Sequence, residues 1–220
     1  MNTIKNSLIK DVLPLTNIPR PAWPVKETLI SMAKTNGFSS IVPEWNLNPP
    51  TTDVLLGQEI EIEGIVQVKF PLACWNTHTD GSLRNGIEFV SSALLPEELM
   101  YGLKYLQYCV EKSSKLAHFS WRCSIHLHIG VRTLTERQFV KMLLLYLMFE
   151  KSFFRYANTE RRNSIFCVPL LEVPEVLMNI IKVWKGLGRQ SELRSAIDFD
   201  LLNSGWHKYA ALGIYRLNTF

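Results

Sequence analysis

Residues 57–64 read GQEIEIEG, and the reading of this stretch decides how the rest of the chain is understood. Glutamates at 59, 61 and 63 alternate with isoleucines at 60 and 62. A strand sends successive side chains to opposite faces, so the pattern gives one face of three carboxylates and one of branched apolar groups. Neighbours along such a face lie about 7 Å apart, two residues at ~3.4 Å of rise each. The wet outer face of an antiparallel sheet accounts for part of this. Glutamate is nevertheless depleted in strands, and no base is interleaved with these acids. A cation suits three unrelieved carboxylates better, and hard divalent ions such as Mg²⁺ take oxygen ligands of this kind.

The alternation returns at 124–130, SIHLHIG. Ser124, His126 and His128 share one face, and Ile125, Leu127 and Ile129 the other. Strand histidines are often no more than satisfied polar residues. Two on one face, ending at a glycine where a ligand could approach the backbone closely, bring a ligand-binding role nearly level with that reading. A His-x-His pair also holds zinc in some proteins. Glu88 lies among Ile87, Phe89 and Val90, which predicts a strand buried on both faces and a carboxylate in need of a partner, either an arginine or a metal. Arg155, Arg161 and Arg162 follow the longest apolar helix, and Lys208 opens the last strand-like stretch. Arginine forks fit phosphate and carboxylate oxygens. For Arg155 the ordinary preference for cations at a helix C-terminus is sufficient.

Around these stretches the sequence predicts turns at Asp80-Gly81 and Asn85-Gly86 and a strand from Ile87. It predicts a helix from Pro96 with Glu97 and Glu98 in its first turn, and a long helix capped by Thr133 or Thr135. Further helices follow from about Pro174 and after Gly188. The expected class is α+β, a mainly antiparallel sheet with helices packed on one face. Residues 1–50, punctuated by Pro14, Pro19, Pro21, Pro24, Pro43, Pro49 and Pro50, read as an irregular Pro-rich arm with one short helix at 25–34; residues 51–220 read as the domain proper.

A net charge of +4 suits an anionic small substrate or nucleotide and gives no strong nucleic-acid signal. Cys74, Cys109, Cys123 and Cys167 form no CxxC pair, which predicts free thiols in a reducing compartment. Asp11 and the early prolines interrupt any signal-peptide core, and Lys141, Glu150 and Lys151 interrupt the most apolar stretch, 139–154. No membrane span and a cytoplasmic location are expected.

Taken in order, GQEIEIEG (57–64), DGSLRNGIEFVS (80–91), CSIHLHIGV (123–131), RRNSIFC (161–167) and KYAAL (208–212) resemble the amidoligase family. These are phage and cellular carboxylate-amine ligases with a glutamine synthetase-like fold, and the resemblance runs from about residue 55 to the C-terminus. It implies ATP-dependent amide formation through an acyl phosphate, with Mg²⁺ between sheet carboxylates and phosphates. It implies Glu59 and Glu61 as metal ligands with catalytic weight, Glu63 as a further ligand, and His126 beside the metals. Glu88 matches an acidic position for a further metal or substrate group. His128, Arg161 and Lys208 would meet the nucleotide phosphates or an anionic substrate, and Arg162 would act in catalysis. The partners implied are small-molecule or peptide carboxylates and amines. A homo-oligomer is compatible, because glutamine synthetase relatives often build sites at subunit boundaries. A phage-encoded chain would act in the host cytoplasm.

Two departures stand out. Gly213 replaces the usual Asn, and the chain ends at LNTF where relatives continue into a strand bearing Glu-Phe-Arg, so the domain is expected to lack its C-terminal strand. That departure keeps two other readings open. One is a catalytically inactive amidoligase-fold module with a binding or structural role, for instance in a phage assembly. The other is a zinc-dependent hydrolase using His126 and His128.

Overall fold

Strand β1 (Leu56–Glu63) lies inside a four-stranded antiparallel sheet with β2 (Trp75–His78), β3 (Gly86–Ser91) and β4 (Ile125–Ile129), in the order β2-β3-β1-β4. The computed structural model describes residues 20–38, 40–41, 54–157, 167–189, 199–206 and 209–214. The described residues divide into two compact units, one running to Gly130 and one starting at Val131. The α+β class and the antiparallel sheet are as the sequence predicts.

In the first unit, the apolar side of the alternation builds the core. Ile60 and Ile62 of β1 pair with Phe89 and Ile87 of β3, and all four are buried. They pack with Trp75 of β2, with Tyr105, Leu106 and Cys109 of helix α2 (Pro96–Ser113), and with Val25 and Leu29 of helix α1 (Val25–Thr35). Each fully buried side chain of this size is worth roughly 1.5–3 kcal/mol, which is why the even residues of β1 fix which way the sheet faces. α2 begins at Pro96, and its Glu98 carboxylate accepts the Leu95 N–H at 2.8 Å, satisfying a donor the helix cannot reach itself.

β3 departs from expectation. Ile87, Phe89 and Ser91 are buried, whereas Glu88 and Val90 are only half-buried, so this strand has one core face and not two. Val90 is an apolar residue on the polar side, opposite Glu59.

The sharp exit from β1 depends on Gly64, at φ +77°. A Cβ there would lie 2.1 Å from the Leu116 carbonyl oxygen, and the Ser114 hydroxyl donates to the Gly64 carbonyl at 2.8 Å. Gly64→Ala therefore combines left-handed backbone strain with a backbone clash. We expect a loss of about 2 kcal/mol, read as a lower urea midpoint at unchanged m-value.

In the second unit, helix α3 (Glu136–Tyr156) starts at Thr135. Its hydroxyl accepts the Gln138 N–H at 3.3 Å while Gln138 Oε1 accepts the Thr135 N–H at 2.8 Å, a reciprocal cap. A 3₁₀ turn (Leu170–Glu172), helix α4 (Pro174–Arg189) and the short α5 (Phe199–Asn203) follow. Phe139, Val140 and Leu143 of α3 pack with Leu170, with Val176 and Ile180 of α4, and with Leu202 of α5. No helix among the described residues is long and apolar enough to cross a membrane.

Candidate functional site

The polar side of the sheet is where the chemistry gathers. Register places Glu61 opposite Glu88, Glu59 opposite His126, Gly57 opposite His128, and His78 opposite Glu88. The alternation read from sequence therefore brings acids of two strands and both imidazoles to one face, and it sorts them into three groups.

Glu61, Glu88 and Asp80 form the first group. One carboxylate oxygen from each lies within 4.8 Å of the others, the only such set of three potential metal ligands among the described residues. Glu61 is almost wholly buried, and its Oε2 accepts the Ser124 N–H at 2.7 Å, which fixes the carboxylate from the β4 side. Asp80 arrives by turn chemistry. It sits two residues beyond His78, and its Oδ1 accepts the Ser82 N–H at 2.6 Å in an Asx turn, while Leu83 N–H closes on the Asp80 carbonyl at 3.2 Å. The Ser82 hydrogen bonds hold the Asp80 carboxyl below its ordinary value. Glu88 is pushed the other way, first by burial and then by the negative charges of Glu59, Glu61 and Asp80. Carboxylates this close repel one another until a proton or a cation intervenes, and the all-oxygen donor set fits Mg²⁺ or Ca²⁺ better than zinc.

Glu59 centres the second group. Its Oε2 meets His126 Nδ1 at 2.8 Å and its Oε1 meets His128 Nε2 at 3.1 Å. These hydrogen bonds, His126 foremost, hold Glu59 far below the usual carboxylate range, and the same bond raises His126. Below its ordinary 4.5, Glu59 gives up its contribution to stability as it protonates; above the ordinary 6.5, His126 gives up its own as pH climbs through the raised value. The pair therefore stabilises most between these two values. Because the imidazole is half exposed, Glu59→Gln should cost about 1 kcal/mol near pH 5.5. The difference from wild type should shrink toward pH 3 and pH 9, as read by thermal melts across pH.

Glu63 belongs to the third group. Its Oε1 accepts the Arg84 N–H at 2.6 Å, which lowers its pKa, and its Oε2 lies 4.0 Å from His118 Nε2. The ligand set expected from sequence, Glu59, Glu61, Glu63 and His126, is thus divided: only Glu61 enters the close oxygen group, where Glu88 and Asp80 join it. Asp80 was visible in the sequence only as a turn signal. Arg161, Arg162 and Lys208 lie outside the described residues.

Comparisons of the chain with protein-family models, with curated proteins and with solved structures found no match.

Proposed function

We propose that this chain is an ATP- and Mg²⁺-dependent carboxylate-amine ligase of amidoligase type, with a glutamine synthetase-like fold. The observation that carries the reading is the convergence of Glu61 with Asp80 and Glu88, from two separate stretches, into one oxygen-rich group on the polar side of an antiparallel sheet. All three residues fall within the stretches that resemble the family. In such a reaction a carboxylate oxygen attacks the γ-phosphorus of ATP and ADP leaves; an amine then displaces phosphate from the acyl carbon. A divalent cation at the three carboxylates supplies offset for phosphate charge. Glu61, Asp80 and Glu88 would hold that cation, and the Glu59 hydrogen bond, which favours the protonated form of His126, would orient that imidazole toward anionic oxygens.

Titration calorimetry with ATP, run in Mg²⁺ and again in EDTA, tests the binding half of this reading. Phosphate release across a panel of carboxylates and amines tests the rest. Cation-independent nucleotide affinity would sink the mechanism. Mg²⁺-dependent ATP binding with no turnover on any pair would instead favour the inactive binding module. One zinc per purified chain would favour a hydrolase built on His126 and His128.

A further inference from the structure

Trp121 is 67% exposed, although backbone hydrogen bonds tie the loop on both sides of it. His118 and Glu63 exchange both backbone hydrogen bonds, at 2.9 and 3.1 Å. The Arg122 N–H donates to the Ser120 hydroxyl at 3.1 Å, the Cys123 N–H donates to the Ser120 carbonyl at 3.1 Å, and Cys123 itself is buried. A large indole held out in water by a fixed backbone forgoes the burial available to it, and such residues mark recognition surfaces. Phe119, 61% exposed, sits two residues away.

The loop is also joined to the acid group. The Arg122 guanidinium lies over the Trp121 ring at 4.5 Å, and its Nη1 donates to the Ser82 carbonyl at 3.1 Å. Ser82 in turn donates its N–H to Asp80 at 2.6 Å. Three successive contacts therefore lead from the indole to Asp80, one of the residues of the candidate cation site. The guanidinium lies over one face of a ring that is otherwise largely exposed. Its positive charge is anchored to the Ser82 carbonyl, in the same turn whose Asp80 joins the acid group.

We propose that Trp121, backed by Arg122, is the stacking platform for the base of the nucleotide, with the phosphates directed toward Glu61, Asp80 and Glu88. This rests on the nucleotide-dependent reading above and adds to it the recognition of the base. Stacking on an aromatic ring is sequence-tolerant, so the platform supplies affinity for the base and little discrimination between purines.

The test uses the full chain with Mg²⁺ and two ligands, ATP and inorganic tripolyphosphate, the second having phosphates and no base. Trp121→Ala should weaken ATP about tenfold, within the range seen for base–aromatic stacks, and leave tripolyphosphate within about twofold. Trp121→Phe should recover most of the ATP affinity. Equal losses for both ligands, or none for ATP, would overturn the inference; unaltered ATP binding is also what a protein-docking role for Phe119 and Trp121 would give. Tripolyphosphate binding as tight as ATP in the wild type would overturn the platform alone and leave the ligase reading standing. Failure of the wild type to bind either ligand would overturn both.

Discussion

Glu61→Gln is expected to weaken Mg²⁺-dependent ATP binding at least about 100-fold, equivalent to ~2.7 kcal/mol. The substitution keeps the shape and the carbonyl oxygen that accepts the Ser124 N–H, so the sheet should hold. It removes one of three charges that make the group attractive to a cation. Glu88→Gln should give the same loss of binding with a different signature in the cation-free protein. The Glu88 pKa is raised by burial and by its acidic neighbours, so its ionised form opposes folding. The stability associated with its protonated form is present below the ordinary 4.5 and fades as pH rises through the elevated value. In EDTA at neutral pH, Glu88→Gln should therefore melt above wild type even as it loses Mg²⁺. Unchanged nucleotide affinity in both variants would remove the cation site from the ligase reading. A Glu88→Gln protein less stable than wild type in EDTA would show that the acids do not repel as the geometry requires.

What the sequence could show of this site was set by range. Alternation is local, and the two-residue period of 57–64 and 124–130 was enough to place Glu59, Glu61, His126 and His128 on polar faces. Register is not local. Nothing in either stretch says that Glu59 falls opposite His126, or that Glu61 falls opposite Glu88, and those pairings decide which acid is engaged by imidazoles and which is left for a cation. Asp80 is the clearest case. DG is a strong turn signal, but its place beside Glu61 and Glu88 follows from the β2–β3 pairing that ends at His78 and Glu88. The double-sided burial expected of β3 failed for a related reason. Val90 looks like core by composition, yet lies across from Glu59 on the polar face, where its register partner and not its own hydropathy fixes its surroundings.

Glu150 poses the same problem inside the second unit, where a charge that read as an interruption of an apolar stretch is a fastening. It is 1% exposed on α3, and its two oxygens accept the N–H groups of Leu170 and Leu171 at 2.7 and 3.0 Å. Those donors open the 3₁₀ turn that leads into α4, and Leu170 itself is fully buried. Glu150→Ala leaves both donors without their acceptor, the Leu170 N–H in the core and the Leu171 N–H nearer the surface, and empties the volume of the carboxylate. At about 1.5–3 kcal/mol for each hydrogen bond to a charged group, the loss should be roughly 3 kcal/mol or more. Glu150→Gln keeps one acceptor oxygen and should lose about half as much. Hydrogen exchange separates this from a general loss of stability. Amides of Leu170, Leu171 and the buried side of α4 around Ile180 should exchange faster in Glu150→Ala, while those of Ile87 and Phe89 in the sheet keep their protection. If Glu150→Ala unfolds at the wild-type denaturant midpoint, the two hydrogen bonds do not fasten the turn. If the sheet amides speed up equally, the two units do not unfold independently.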